Sequence, residues 1–498
     1  MTDQSTAKTN RLALIVLRNS AFGLAAQVAI KVLSFAFNVL VIRQLGAGEY
    51  GQYTAVGAFG AVFLFVADLG LSPYAVREFA RWRNQPDALR RSTQLYSNIL
   101  WLRLGLSVLS SLLTLTAAWL TGRPLEMIGA IALNSLGLLM YAVQGTSEAA
   151  LSGFERLDLV SGVRVVNQLV FVVAGGFALW YGFGYYGLIV ANLLAIGLMT
   201  YMSWRAVKRL DIPLARPRPA DWLGLLRASL PFGLIGLALG LSYRFDTVLL
   251  NIYWSDAETG YYNAAYNLVF SAAVFSNVLN TALYPSLARQ AAEDPGQLAR
   301  IAQRVLRYLL LLALPIAVGA CVLAGPAVTF LYEGGYGPTS MALAIVIWAV
   351  PFMYLSEFLG YVVVIQGLES RVARAVLVSS GFNVLLNLLL VPRIGLAAAA
   401  VMTVLTEVVL VAQHSWTLRA MVKQFDWLET LGRPLLAALV MGGVVWALSG
   451  ALPFLAVVAL GVAVYGLAAL LFGAVGREDV SFLRRARRGT PETPPVVP

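Results

Sequence analysis

The chain returns again and again to mostly apolar stretches of about twenty residues or more, the length a helix needs to cross the hydrocarbon of a bilayer. They lie near 18–42, 50–72, 93–120, 124–151, 158–181, 185–205, 223–252, 259–287, 304–332, 339–366, 371–392, 395–418, 433–450 and 453–475. Fourteen spans leave both termini on one side. Composition agrees: 59% of the 498 residues are hydrophobic and 12% are charged, against roughly 25% charged in a soluble domain, and mean hydropathy is +0.75. Met1 to Asn10 is polar, and Arg11 and Arg18 precede or enter the first apolar stretch with no small-residue cleavage site, so that span is expected to remain in place.

The formal charge of +11 could point to nucleic acid, but Lys and Arg gathered between apolar spans are first a sign of membrane topology. Thirty of the 36 fall in alternate connections, on the side that also holds the N-terminus. Arg43, Arg123 and Arg393 fall on the other side, and Lys31, Arg103 and Arg244 lie inside spans. That imbalance supports the span count and places both termini in the cytoplasm, in an inner-membrane protein with no nucleic-acid partner. One cysteine and one histidine, Cys321 and His414, exclude an internal disulfide and a histidine-built metal site, and both are expected to pack.

The segment Arg205 to Trp222 is basic and carries three prolines, which reads as an exposed cytoplasmic linker dividing the chain. The expected units are an N-terminal lobe over 1–210, the linker over 211–222, a C-terminal lobe over 223–420, two further helices over 421–480, and a disordered tail over 481–498. The halves resemble each other: "LRNSAFG" from Leu17 and "LRASLPFG" from Leu226 are 209 residues apart. "EYGQYTAVGAF" and "ETGYYNAAYNLVF" keep that spacing, pairing Gly51 with Gly260, Tyr53 with Tyr262 and Ala55 with Ala264. "LSGFER" and "IQGLESR" extend the correspondence. Six spans in each half give parallel repeats, a transporter pattern with the substrate site between the lobes.

A charge at mid-helix costs about 2.5–3.5 kcal/mol on insertion scales, so each needs a partner, water or a task. Gln27, Lys31, Phe35 and Asn38 share one helical face. The shift of 209 carries them to Gly236, Gly240, Arg244 and Thr247, which sets Lys31 and Arg244 on corresponding faces one turn apart. The two glycines below Arg244 make either a helix-packing face or an open groove beside the guanidinium. Asp246, two residues on, points roughly 200° away from Arg244 and is not its partner. Arg103 sits roughly 15 Å into its span, to be paired with a carboxylate of its own lobe or to line the cleft. Asp68, ahead of Gly70 and Pro73, caps or pairs at a helix break or serves coupling; Glu357 and Glu407 are lobe-internal partners or proton carriers. Asn263, Asn267 and Ser271 form a polar stripe suited to sugar hydroxyls or to interhelical bonds. Asn383 and Asn387 favour interhelical bonds.

No nucleophilic-serine elbow, phosphate-cradling loop or zinc-binding HExxH is present, so no catalytic residue, metal or cofactor is expected. Energy would come from a proton or sodium gradient, with Asp246, Asp68 and Glu357 as the coupling candidates.

With "LVIRQLGAGEYGQYTAVGAF", "VADLGLSPYAVREFAR" and "YYNAAYNLVFS" followed by "VLNTALYPSLAR", the chain resembles the multidrug/oligosaccharidyl-lipid/polysaccharide exporter superfamily, above all its polysaccharide-transporter branch of O-antigen-type flippases. The mid-helix patterns of the related peptidoglycan lipid flippase are not visible. The resemblance implies an all-α, MATE-like fold of two six-helix bundles around a cleft that opens alternately to either side, plus two C-terminal helices. It implies a polyprenyl-diphosphate-linked oligosaccharide as cargo, carried from the cytoplasmic to the outer leaflet for surface polysaccharide, with the first, second, seventh and eighth helices flanking a portal. Contacts with a polysaccharide polymerase or with glycosyltransferases would follow. Lys31 and Arg244 would hold the diphosphate, with Arg103, Gln27, Asn263 and Asn267 as further substrate-binding residues. Two alternatives stand: a multidrug or cation antiporter of the same fold, which would favour acidic cavities, and a membrane glycan polymerase or ligase, which would need a large outer loop.

Overall fold

A computed structural model describes the backbone of residues 2–293 and 295–475; side chains are described from Ile30 onward, except those of residues 282, 285, 286 and 292–296. The side chain of Gln27 and the tail over 481–498 therefore lie outside the described residues. Within them the chain is wholly helical, the form that lets a spanning segment satisfy its own backbone where lipid cannot. The helices are α1 (Thr2–Asp68), α2 (Leu71–Trp82), α3 (Ala88–Leu120), α4 (Leu125–Gly153), α5 (Leu157–Trp180), α6 (Gly184–Lys208), α7 (Trp222–Tyr253), α8 (Asp256–Glu293) and α9 (Pro295–Val322). They continue with α10 (Ala324–Tyr332), α11 (Gly337–Val346), α12 (Ala349–Ile365), α13 (Glu369–Ile394), α14 (Leu396–Thr417), α15 (Arg419–Val422), α16 (Arg433–Leu448) and α17 (Phe454–Leu471).

Twelve of the described helical segments are long and apolar enough to cross a membrane. The sequence count of fourteen differs in two places. Helix α1 contains two expected spans, joined at Gly46, whose φ of 70° turns the chain where a side chain would be strained. Helix α8, which covers the expected span 259–287, is not among the twelve, which are counted over the described residues alone. The expected span 50–72 stops at Asp68: Leu69 and Gly70 have φ of 43° and 77°. Helix α2 then starts, an amphipathic helix the apolar count did not reveal, burying Leu71, Ala75, Glu78 and Phe79 along one face.

Contacts between the connections sort them into two faces. On one, Arg83 pairs with Glu155 at 2.7 Å, and Arg433 donates to the Gly473 carbonyl at 3.2 Å. On the other, Arg43 donates to the Phe330 and Leu331 carbonyls, Arg123 donates to Asn251 Oδ1 at 3.1 Å, and Trp254 Nε1 donates to the Val391 carbonyl at 2.8 Å. Alternate connections thus share a face, as a chain that crosses repeatedly requires. The first face carries most of the arginines and is called the basic face below.

The linker is surface-exposed but not loose. Its Ala215 and Arg218 amides donate to Ser97 Oγ at 2.8 Å and Asn98 Oδ1 at 2.7 Å, and Gln94 Nε2 donates to the Arg216 carbonyl. Prolines leave an extended backbone with unpaired polar groups, and the polar start of α3 satisfies them. Helices α16 and α17 pack on α9, where Leu310, Leu314 and Val318 meet Met441, Val445 and Val457, away from the interface between the halves.

That interface is closest where α1 meets α8. A Cβ built on Gly51 would lie 1.7 Å from the Asp256 carbonyl oxygen, and one on Gly260 would lie 2.0 Å from that of Ala47. Positions 47 and 256, like 51 and 260, are 209 apart, so repeat-equivalent residues meet reciprocally, as a two-fold relation demands. At the basic face a second close contact sets Gly70 against Ser229 and Gly233. Gly260→Val should therefore push α8 from α1 and open the face opposite the basic one. In a Cys321→Ser, Thr54→Cys background, labelling by a membrane-impermeant maleimide should become severalfold faster; unchanged labelling of a folded protein would count against this closure.

Candidate functional site

Two cavities lie one above the other along the interface. The first, about 300 Å³, is enclosed by α1, α4, α6, α7 and α8 and holds Arg244. Around the guanidinium stand Asn38, Asn134, Asn192, Asn263 and Asn267, with Thr54, Tyr50, Tyr53 and Tyr266. No carboxylate lines it, and Arg244 makes no ion pair or hydrogen bond among the described residues. Its charge is therefore uncompensated within the cavity, while neutral amides and phenols offer both donors and acceptors. Asn38 Nδ2 donates to Asn267 Oδ1 at 2.8 Å, joining α1 to α8 across the interface. Asn263 is spent within the helices: its Nδ2 donates to the Thr259 carbonyl and its Oδ1 accepts from Thr247.

The second cavity, about 500 Å³, lies toward the basic face and is bounded by α1, α2, α3, α4 and α7. The cavities share Ala61, which faces Gly240 one turn below Arg244. Gly236 and Gly240 line the second cavity; nothing would meet a Cβ on Gly236, and on Gly240 only the Ala61 carbonyl comes within 3.8 Å. Of the two readings of these glycines, the open groove is the one observed. The close packing falls on Gly233 instead.

Arg103 lines this second cavity but is not free. It pairs with Asp68 at 3.0 Å and donates to Ser72 Oγ, and Asp68 also accepts from the Ser72 hydroxyl at 2.7 Å, at the start of α2. One aspartate thus pairs and braces the helix break. Gly145 makes room for the pair, since a Cβ there would stand 2.6 Å from Arg103 Nη1. Glu148, on the same wall, accepts from Gln144 and pairs with Arg164. Each carboxylate here has its own cation.

The remaining sequence candidates separate. Lys31 is exposed, lines neither cavity and has no ion-pair partner among the described residues, so the structure does not bring it to Arg244. Asp246 is buried and turned away from Arg244, as helical geometry requires; it accepts from the Tyr262 hydroxyl and the Thr247 amide, and Tyr262 lies 3.0 Å from Thr403 Oγ1. Glu357 accepts from Ser276 at 2.7 Å and Asn277 at 2.8 Å, and Glu407 from Ser356 at 2.7 Å. Asn383 donates to Thr406 of α14, the interhelical role, whereas Asn387 donates to Asn383 within α13. Sequence reasoning passed over Asn134 and Asn192, each an amide in an apolar span, a signal that could have found them. It also passed over Glu148 and Gly145.

With this geometry in view, the family described as "Polysaccharide biosynthesis protein" matches residues 16–290, and the family described as "Lipid II flippase MurJ" matches residues 165–465. The chain belongs to the multidrug/oligosaccharidyl-lipid/polysaccharide exporter superfamily, in its flippase and polysaccharide-transporter branch. It is a multi-pass membrane transporter of the flippase type, not an enzyme. Among curated relatives of this superfamily, it is 19% identical to the probable low-salt glycan biosynthesis flippase Agl15 of Haloferax volcanii, over 83% of this chain and 86% of that one. It is 22% identical to the probable flippase AglR of the same organism, over 78% and 80%. Its fold is similar to an inward closed lipid II flippase MurJ, with TM-score 0.76 at 14% identity over 91% of this chain and 99% of that one. An inward-facing multidrug MATE transporter gives TM-score 0.63 at 16% identity over 80% and 99%. The likeness to the peptidoglycan lipid flippase is thus stronger than the sequence patterns indicated, in the family match over residues 165–465 as well as in the fold.

The Asp68–Arg103 pair gives a direct test. Arg103→Met leaves a carboxylate without its cation and should destabilise the protein by about 3 kcal/mol, whereas Asp68→Asn with Arg103→Met should recover part of that loss. Thermal unfolding of the three variants in detergent reads the cycle; strictly additive losses would show that the two residues do not act as a pair.

Proposed function

We propose that this transporter flips a polyprenyl-diphosphate-linked oligosaccharide from the cytoplasmic to the outer leaflet by alternating access. The observation that carries the reading is the uncompensated Arg244 guanidinium in an inter-half cavity walled by amides and tyrosines with no carboxylate. An anionic diphosphate supplies the missing charge and bonds a guanidinium with two oxygens. Asn38, Asn134 and Asn192 suit the first sugars, and tyrosine rings offer faces for stacking. A cationic drug would meet an unneutralised positive charge, which disfavours the antiporter reading. The relatives named as glycan biosynthesis and lipid II flippases support the same class of cargo.

In this reading the basic face is cytoplasmic, in accord with the positive-inside rule. The glycines at 51 and 260 close the outer end, and those at 70 and 233 the inner one. Exchange between these closures is the transport step. A proton or sodium gradient is proposed to drive it, with Asp246, Asp68 and Glu357 as the acids to examine; each already accepts a hydrogen bond that protonation or ion binding would alter.

Deleting the gene should accumulate lipid-linked oligosaccharide on the inner leaflet. Arg244→Ala should lower translocation in proteoliposomes roughly tenfold or more, the value of one charge-assisted bond, Arg244→Lys should restore part of it, and Lys31→Ala should have the smaller effect. Normal export with Arg244→Ala would remove the assignment.

A further inference from the structure

A second basic site lies outside both cavities, at the basic face between the start of α13 and the end of α14. The groove there has a volume of about 930 Å³, and its rim carries Arg371, Arg374 and Arg419 with Trp416. No acidic side chain lines it, and none of the three arginines makes an ion pair among the described residues. The Arg419 guanidinium lies over the Trp416 ring, 5.2 Å from its centroid, and Trp416 is itself 71% exposed. Below the rim the floor is apolar, formed by Ala375, Val409 and Ala412.

Gln413 makes this floor rigid. Its Nε2 donates to Ser379 Oγ at 2.8 Å and to the Ala375 carbonyl, so one amide fastens α14 to α13 beneath the arginines. Deeper along the same helical faces, Val378 and Leu385 of α13 and Leu405 and Val401 of α14 remain exposed. The groove therefore runs from cationic at the membrane surface to apolar within the hydrocarbon. Lys and Arg scattered for topology alone have no need of a pinned floor or of an apolar extension.

We infer that this groove binds an anionic phospholipid, the phosphate held by Arg371, Arg374 and Arg419 and the acyl chains lying along α13 and α14. Its charge complements the anionic cytoplasmic leaflet, its tryptophan sits where aromatic rings favour the interface, and its apolar wall matches lipid chains. The site is separate from the Arg244 cavity, and its occupancy would leave the transported cargo unobstructed.

The full chain, purified in detergent, would be titrated with phosphatidylglycerol and with phosphatidylcholine and its bound lipid counted by native mass spectrometry. One phosphatidylglycerol should be retained at concentrations where phosphatidylcholine is not. Replacing Arg371, Arg374 and Arg419 together with Gln should weaken that retention about tenfold, and replacing them with Lys should largely preserve it. A charge-matched variant with Gln at Arg289, Arg300 and Arg304, exposed elsewhere on the basic face, should bind as the parent does. Equal weakening by both Gln variants would mean diffuse surface electrostatics and overturn the site. So would parent-like binding by the first variant, or displacement of the lipid by inorganic diphosphate at comparable concentration, which would mark a site for free phosphate.

Discussion

The backbones of α1 and α8 touch at Gly51 and Gly260, and the arrangement of the whole interface follows from that crossing. Because neither residue has a Cβ, the Asp256 and Ala47 carbonyls approach to distances no other residue type would permit. The same approach lets Asn38 reach Asn267 across the interface. It brings Tyr50, Tyr53 and Tyr266 to the wall that faces Arg244. A bulkier pair at the crossing would spread the halves and dissolve this wall.

Charge inside a bilayer must be accounted for, and this protein accounts for its buried charges in different ways. Arg103 and Asp68 neutralise each other and at the same time brace the break between α1 and α2. Asp246 accepts from the Tyr262 hydroxyl and the Thr247 amide, and Glu407 from the Ser356 hydroxyl, all within the C-terminal half. Arg244 alone among the arginines of the two cavities has neither kind of partner among the described residues. Mid-helix arginines with similar prospects in sequence thus have opposite standing in the fold: one completes a structural pair, the other keeps its charge available to a ligand.

The face opposite the basic one shows how few cations suffice when each is placed at a helix end. Arg43 and Arg123 donate to carbonyls near the C-termini of α10 and α7, groups left without intrahelical partners. Each side chain crosses from the N-terminal half of the chain to the C-terminal half. The rarity of arginine on this face, read in sequence as a topological rule, coincides with a role in holding the halves together.

The sequence by itself determined the helical, membrane-spanning class, the alternation of faces and the correspondence of the two halves, since apolar length, basic-residue placement and a shift of 209 residues are properties of the linear chain. It also separated Arg244 from Asp246, because two residues on a helix fix the angle between them. Tertiary structure alone decided which charges are spent. Whether Arg103 meets Asp68, whether Lys31 reaches Arg244, and whether Gly236 and Gly240 pack or open depend on how helices far apart in the chain approach one another. Scattered amides such as Asn134 and Asn192 acquire a shared purpose only when α4 and α6 bring them to one wall. The physical reason is that a spanning helix reveals its own length and faces locally, whereas the neighbour each face meets is set by packing between helices that lie far apart in sequence.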